Sequence, residues 1–294
     1  MNKQTIFALG FFDGVHLGHQ ALLRTCCCLA QQHNMNAGAV TFSAHPDALV
    51  FGAPPVLINT PADREKLLRE HVSRVVTLPF DKKMQCTPWQ DFLDDLCTHC
   101  DAGGFVCGDD FCFGSRGEGN AEHLLHYCRE RGLACAVVPE QTVDGIRVSS
   151  TYIRTLLEQG DMERANRFLG HAHILSGTVI HGQGLGRTIG IPTANLAYPD
   201  GLAELKHGVY AAKLSLDGKA YTAVVNIGMR PTVSGENLNV ESWILDYSGG
   251  LYGREITLEI YRFLRPERKF DSLQQMQTEI QKDALRARAC FAEA

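Results

Sequence analysis

Residues 5–19 read TIFALGFFDGVHLGH, a stretch that joins a strand pattern directly to a helix pattern. The apolar, β-rich run Thr5 to Leu9 is typical of a buried strand, and a glycine-bounded turn leads from it into helical spacing over Gln20 to Gln32. A helix that begins just after a strand presents free backbone N–H groups and the positive end of its dipole, both of which bind phosphate. The stretch therefore predicts an α/β fold with a phosphate site at the start of the helix.

The alternation of strand and helix patterns continues outward to about residue 170. Further strand patterns cover Ala37 to Thr41, Val72 to Leu78, Phe105 to Cys107 and Ala134 to Val138. Apolar residues recur at helical spacing in Asp63 to Glu70, Trp89 to Cys100 and Ala121 to Arg131. Such alternation predicts a Rossmann-like, mostly parallel sheet covered on both faces, which binds ligands beyond the carboxyl ends of its strands.

A change of pattern near residue 172 predicts a second domain. Leu156 to Leu169 has the spacing of one or two short helices, which Gly170 is placed to end. Short strand patterns follow at Gly177 to His181, Val209 to Leu216, Ala220 to Asn226, Val240 to Tyr247 and Glu255 to Phe263. They favour an antiparallel barrel or sandwich, followed by one C-terminal helix with Ser272 as its N-cap. We therefore expect domains at residues 1–172 and 173–294.

The composition excludes several classes of protein. The chain has 294 residues, enough for two hydrophobic cores, and its 45% hydrophobic residues are typical of a globular protein. A net charge of −5 argues against nucleic-acid binding, which needs clustered Lys and Arg. No apolar run has the length of a membrane span or an export signal, so we expect a cytoplasmic location. The 11 cysteines are expected to be reduced thiols rather than disulfides or a zinc site around Cys97 and Cys100.

Two groups of residues in the first half have the chemistry of a phosphate site. His16 and His19 stand three residues apart, so a helix that begins there places both on one face. Gly14 and Gly18 would let the backbone approach a ligand closely. The second group brings three hydroxyls and a guanidinium to another predicted helix start and consists of Ser149, Ser150, Thr151 and Arg154. An ordinary helix cap would account for only one of these hydroxyls.

Together these residues resemble the His-x-Gly-His nucleotidyltransferases, specifically the FMN adenylyltransferase module of bacterial bifunctional riboflavin kinase/FAD synthetases. TFSAHP at residues 41–46 and GDDFCFG at residues 108–114 match the same module. The resemblance implies attack of the FMN phosphate on the α-phosphorus of ATP, with His16, His19 and Arg154 as catalytic residues. It assigns ATP binding to Gly10, Phe12, Asp13, Gly14, Gly18, Asp110, Ser149, Ser150 and Thr151. The sequence departs from the family at Phe11, where Asn is frequent, and at Cys112 and Gly117, where basic residues are common.

The second half contains a glycine-rich loop followed by two oxygen ligands. The loop includes Gly182, Gly184, Gly186 and Arg187, and its backbone N–H groups could surround a phosphate. In GIPTANL at residues 190–196, Thr193 and Asn195 lie on the same side of an extended segment and suit Mg²⁺. An ordinary glycine turn and an Asn cap are the alternatives for these two features.

These segments resemble the riboflavin kinase signature GxVxxGxxxGRxxGxPTAN, and further matches extend over residues 174–283. The resemblance implies that Glu241 is the general base for the ribityl 5′-hydroxyl, while Thr193 and Asn195 hold Mg²⁺ beside ATP on the glycine-rich loop. It also suggests flavin or nucleotide contacts for Arg265 and Phe270. Trp243 stands where the family commonly has His.

We therefore expect a bifunctional enzyme that makes FMN from riboflavin and FAD from FMN at two separate ATP sites. Its expected partners are riboflavin, FMN and ATP, without nucleic acid or membrane and with at most weak self-association. One alternative is a chain in which a single domain is active, the N-terminal module being the more vulnerable. The other is a flavin-sensing or flavin-storage protein, although binding without turnover would not need a general base.

Overall fold

The computed structural model describes residues 3–46, 55–182, 186, 190–232 and 235–292. The chain forms two compact units, Met1–Ser150 and Thr151–Ala294. This division falls earlier than the boundary predicted at residue 172, so the helical segment before that boundary groups with the second unit. The limits of the two functional domains stay a prediction. No helix in the described ranges is both long and apolar enough to cross a bilayer.

The first unit is built on a five-stranded parallel sheet with the strand order β3-β2-β1-β4-β5. Its strands are β1 (Thr5–Leu9), β2 (Asn36–Phe42), β3 (Arg74–Leu78), β4 (Ala102–Gly108) and β5 (Ala134–Val138). The helices are α1 (Leu17–Gln32), α2 (Pro61–Arg69), α3 (Lys82–Cys86), α4 (Trp89–Cys100) and α5 (Ala121–Arg131). The parallel α/β prediction is confirmed, although α3 and a short hairpin of β6 (Thr142–Val143) and β7 (Ile146–Arg147) were not expected.

The central strand β1 fixes where this unit can bind a ligand. All five of its residues are buried, as is typical of a parallel strand covered on both faces. The chain continues from β1 to β2 on one side, whereas β4 lies on the other, so the strand order reverses between β1 and β4. Open α/β sheets bind ligands in the crevice at such a point. The HLGH segment forms the start of α1 after β1, and the GDDFCFG segment begins at the last residue of β4.

The second unit contains an antiparallel six-stranded barrel with the order β8-β13-β10-β11-β12-β9, which confirms the barrel prediction. The strands are β8 (His173–Thr178), β9 (Ala194–Ala197), β10 (Gly208–Leu216), β11 (Lys219–Thr232), β12 (Gly235–Ile244) and β13 (Glu255–Pro266). A bridge between Ile180, two residues after β8, and Asn195 in β9 nearly closes the barrel. Three helices complete the described part of the unit: α6 (Ser150–Gln159), which begins at the last residue of the first unit, α7 (Met162–Leu169) and α8 (Leu273–Ala292).

The first barrel strand begins at His173 rather than at the predicted Gly177. Asn166 on α7 explains the difference, because its side chain accepts from the His173 amide at 2.8 Å and donates to the Ile260 carbonyl at 2.8 Å. These bonds fix the start of β8 beside β13, where His173 pairs with Ile260. The sequence pattern alone could not reveal this, since Asn166 lies on a different element.

Candidate active sites

The turn between β1 and α1 holds its backbone in a conformation that most residues avoid. Phe12, Gly14 and Val15 have φ values of 62°, 80° and 41°. The Phe12 side chain is fully buried and anchors the turn, so only its backbone could contact a nucleotide. Gly18 packs closely against the His16 ring, because a Cβ atom there would come within 3.1 Å of it. The roles of Gly10, Phe12, Asp13, Gly14 and Gly18 in ATP binding stay predictions.

His16 and His19 form a stacked pair at the N-terminus of α1. Their ring centres are 3.6 Å apart with an angle of 13° between the rings. His16 is the N-cap, and its Nδ1 accepts from the His19 amide at 3.3 Å, so its ring proton is on Nε2. Burial, followed by His16 and Arg64, lowers the pKa of His19 well below its usual value. His19 is therefore a neutral imidazole beside an electropositive helix end.

The structure brings Ser150 to this turn across most of the first unit. The Ser150 hydroxyl donates to the Asp13 carbonyl at 2.9 Å, and the Asp13 Oδ1 accepts from the Ile58 amide at 2.8 Å. Ser149 immediately precedes Ser150 in the chain. Thr151 and Arg154 follow on α6 and belong to the second unit. The nucleotide contacts expected of these residues remain untested predictions.

Asp110, at the carboxyl end of β4, is already engaged by an arginine. Its carboxylate forms an ion pair with Arg147 on β7, and the same guanidinium lies 2.8 Å from Glu140. The three side chains line a cleft of about 80 Å³ that also includes Gly18. Arg147 was not predicted, because an exposed arginine in a short hairpin has no recognisable pattern. A ligand that uses Asp110 would bind next to this guanidinium.

An aromatic cavity of about 640 Å³ lies at the same end of the first unit. Among the described residues, six phenylalanines line it, at positions Phe11, Phe42, Phe80, Phe92, Phe111 and Phe113, together with Cys112 and Gly117. Planar apolar walls of this kind suit an aromatic ring system. Most of these residues were not singled out in the sequence, although Phe80 could have been found because it follows the carboxyl end of β3.

Three predicted residues of the second unit lie in one row across its sheet: Asn195, Glu241 and Arg265. Asn195 pairs with Glu241, and Glu241 pairs with Asn226 on its other side. The row continues through Val209 to Arg265. Residues directly opposite one another on neighbouring strands share a face of the sheet. All but Asn195 line a cavity of about 250 Å³, to which Trp243, Phe270 and Asp283 also contribute.

Asn239 connects two members of this row and was not predicted. Its Nδ2 donates to Asn195 Oδ1 at 3.3 Å and to Glu241 Oε1 at 3.2 Å. Asn239 lies two residues before Glu241 on β12, so both side chains point to the same face. Only the register of β12 against β9 shows that the side-chain amide of Asn239 bonds to both Asn195 and Glu241.

Thr193 lies between the row and a second cavity. It lines both the 250 Å³ cavity and a neighbouring cavity of about 270 Å³ that is bounded by Ser242 and Tyr252. The glycine-rich loop approaches the same place, because a Cβ atom on Gly182 would overlap the Asn195 side chain. Gly186 accepts from the Ile191 amide at 2.8 Å. The predicted residues Gly184 and Arg187 lie outside the described residues.

Arg265 is held by a carboxylate rather than left open to a ligand. Its Nε and Nη2 donate to Asp283 Oδ2 at 2.9 and 2.8 Å, and Asp283 is fully buried on α8. The Phe270 ring lies 5.0 Å from the Arg268 guanidinium and lines the cavity. Contact of Arg265 or Phe270 with flavin stays a prediction.

Comparisons with known proteins match the two halves of the chain to two different family models. A family model described as FAD synthetase matches residues 1–152, and one described as riboflavin kinase matches residues 169–291. The chain is 34% identical to the bifunctional riboflavin kinase/FMN adenylyltransferase of Listeria monocytogenes, over 98% of this chain and 93% of the relative. The Escherichia coli K12 protein of the same name is also 34% identical, with coverages of 97% and 92%.

Among solved structures, a protein from Streptococcus pneumoniae described as a macrolide-efflux protein has the same fold. It superposes with a TM-score of 0.85 and 30% sequence identity, covering 98% of this chain and 95% of that structure. The curated relatives and the family models agree on both halves of the sequence. The chain belongs to the family of bifunctional riboflavin kinase/FMN adenylyltransferases.

Proposed function

We propose that the second unit phosphorylates riboflavin to FMN and that the first unit adenylates FMN to FAD, each with its own ATP site. The row from Asn195 through Glu241 to Arg265 carries the kinase assignment, because its carboxylate lines a cavity of about 250 Å³ beside a second cavity. The stacked histidines at a helix start carry the adenylyltransferase assignment. The cytoplasmic location and weak self-association expected from the sequence stay predictions.

In the kinase reaction, Glu241 would accept the proton of the ribityl 5′-hydroxyl. The oxygen then forms a bond to the γ-phosphorus of ATP, the bond from that phosphorus to the bridging oxygen breaks, and ADP leaves. A positioned carboxylate of this kind typically contributes about 10² to 10⁴-fold. Asn239 keeps the carboxylate oriented through its bond to Oε1. Flavin would occupy the cavity with Glu241, and the nucleotide the cavity on the other side of Thr193.

The donor set between the two cavities fits Mg²⁺. Thr193 and Asn195 offer neutral oxygens, which are hard ligands of the kind that this ion prefers, and they leave Glu241 free to act as the base. Asn195 is 5% exposed, so few solvent molecules compete for it. When bound, Mg²⁺ would offset negative charge on the transferring phosphoryl group. Thr193 and Asn195 would hold it.

In the adenylyltransferase reaction, an oxygen of the FMN phosphate attacks the α-phosphorus of ATP. The bond from the α-phosphorus to the departing pyrophosphate breaks, so no covalent enzyme intermediate is needed. The Nε2–H of His16 and the N-terminus of α1 would stabilise the pyrophosphate as its charge develops. The phenylalanine-lined cavity would take the isoalloxazine ring of FMN.

Product analysis of three proteins tests the proposal. The wild-type chain, incubated with riboflavin, ATP and Mg²⁺, should yield both FMN and FAD on chromatography. Glu241→Gln should lose at least about 100-fold in FMN formation, yet convert supplied FMN to FAD at the wild-type rate. The double variant His16→Ala, His19→Ala should show the reverse. Equal loss of both reactions in either variant would refute separate sites, and a wild-type chain that forms no product would indicate a binding protein.

A further inference from the structure

Arg64 on α2 is a buried cation that its surroundings satisfy only in part. It is 2% exposed, and its Nη2 donates to the Phe42 carbonyl at 2.6 Å. Its guanidinium carbon lies 4.0 Å from the centre of the Phe11 ring. Its Nε and Nη1 are buried, and neither has a hydrogen-bond partner within the part of the chain that the structure describes. Buried N–H donors are nearly always paired, so these two point to an acceptor that a ligand supplies.

The guanidinium keeps its charge in this setting. Burial lowers the pKa of Arg64 to about 10, and the nearby Asp13 carboxylate opposes that shift. At neutral pH the side chain is therefore protonated. Its field also lowers the pKa of His19, after the larger effects of burial and His16. Arg64 thus lies within electrostatic reach of the histidine pair.

The contacts of Arg64 place it between the two parts of the adenylyltransferase site. Phe11 and Phe42, which it touches, both line the aromatic cavity. His19, on which its charge acts, belongs to the ATP phosphate site. A flavin that sits in the cavity and reacts next to His19 has its own phosphate between these two places. The guanidinium edge matches phosphate oxygens through paired hydrogen bonds.

We propose that Arg64 binds the 5′-phosphate of FMN and so selects phosphorylated flavin for adenylation. The inference rests on the proposed function of the first unit, since it needs FMN as the nucleophile. Phe11 serves as the platform for the guanidinium, which gives this residue a role at a position where the family often has Asn.

Steady-state kinetics of FAD formation by the full-length chain test this inference. Arg64→Gln should raise the KM for FMN by at least about tenfold, as expected when a charge-assisted hydrogen bond is lost, with less than about a twofold change in the KM for ATP. Lumiflavin has no phosphate, so its inhibition constant against FMN should stay within about twofold of the wild-type value. Arg64→Lys keeps the charge, so its KM for FMN should lie between those of the wild-type chain and Arg64→Gln.

Arg74, the first residue of β3, provides a matched control at the amino end of the parallel strands. It lies over Phe7 at 5.4 Å and donates to the Cys100 carbonyl at 2.7 Å, and among the described residues neither of these partners lines the aromatic cavity. Arg74→Gln should lower the melting temperature without changing either KM. If Arg64→Gln does not fold, the KM values of Arg64→Lys decide between a role in FMN binding and a structural role.

Two results would overturn the inference. One is a rise in the KM for ATP with an unchanged KM for FMN, which would assign Arg64 to the triphosphate. The other is a lower melting temperature with both KM values unchanged, which would make Arg64 structural like Arg74. A wild-type chain that forms no FAD would instead remove the proposed function itself.

Discussion

His173 shows how burial alone sets a protonation state in this chain. The side chain is 1% exposed, and neither ring nitrogen has a hydrogen-bond partner among the described residues. Burial, with a smaller effect of His171, lowers its pKa to about 3. In the unfolded chain the ring titrates near the usual value of about 6.5. Below that pH the His173 ring binds a proton in the unfolded state, whereas it stays neutral in the folded state.

This difference predicts a specific loss of stability in acid. Above about pH 6.5 His173 contributes nothing, and as the pH falls further the free energy of unfolding should drop by up to about 1.4 kcal/mol per pH unit. His173→Leu should remove this slope between pH 6.5 and 5. Urea denaturation of the second unit, followed by Trp243 fluorescence in a Trp89→Phe background, measures it. Equal slopes in the two proteins would contradict the prediction.

Trp243 can report ligand binding in the cavity that contains Glu241, which we call the kinase cavity. The chain has 2 tryptophans, and only Trp243 lines the cavity with Glu241. Riboflavin that stacks near the indole should quench its fluorescence in a Trp89→Phe variant, with saturation as the site fills. The matched variant Trp243→Phe retains Trp89, whose ring lies 6.3 Å from Phe113 of the aromatic cavity, so its quenching reports flavin in the first unit instead. Strong quenching only in the protein without Trp243 would place the flavin elsewhere.

At the scale of elements, a buried ion pair between Arg265 on β13 and Asp283 on α8 joins that helix to the barrel. The Arg265 and Asp283 side chains are 13% and 1% exposed. Breaking a buried pair by neutralising one partner leaves the other charge uncompensated and costs about 3–5 kcal/mol. Asp283→Asn should therefore destabilise the second unit by about that amount and raise the KM for riboflavin, because both residues line the kinase cavity.

The exposed pair of Arg254 and Asp217 provides the control. Its side chains are 41% and 72% exposed, and such pairs contribute about 0–1 kcal/mol. Asp217→Asn should thus change neither the unfolding free energy by more than about 1 kcal/mol nor the KM for riboflavin. Chemical denaturation and kinase kinetics compare the two variants directly. Equal effects of the two substitutions would show that Asp283 has no special role.

At the scale of the whole molecule, the helices before residue 172 contribute to the barrel unit. Ala165, Phe168 and Leu169 on α7 are fully buried, and Glu163 on the same helix forms an ion pair with Arg262 on β13. A barrel without α7 would expose this apolar surface and lose the bonds of Asn166. The division of the chain at Ser150 and Thr151 reflects these contacts.

Two fragments test this grouping. Residues 151–294 should retain riboflavin kinase activity, whereas residues 173–294 should melt at least about 5 °C lower, since about 1 kcal/mol corresponds to several degrees in a domain of this size. Thermal melting and FMN formation measure both properties. Equal melting temperatures would show that the functional boundary lies at residue 172, as the sequence pattern suggested.

The sequence alone determined the architecture, and it identified most of the candidate site residues, whose roles stay predictions. The strand, turn and histidine pair of residues 5–19 predicted an α/β phosphate site, because local periodicity and helix ends depend on neighbouring residues. Short motifs of consecutive residues pointed to Glu241, Thr193 and Asn195. The hairpin of β6 and β7 and the early start of β8 were missed, since each is fixed by contacts that are remote in the chain.

Only the tertiary structure decided how these residues are combined. The row from Asn195 to Arg265 exists because the register of five strands aligns them, and a shift by one residue would turn each side chain to the other face. The same is true of Asn239 between Asn195 and Glu241, and of Arg147 against Asp110. Arg64 is the sharpest case: its partners lie on β2 and in the β1–α1 turn, and a buried charge has no sequence pattern of its own.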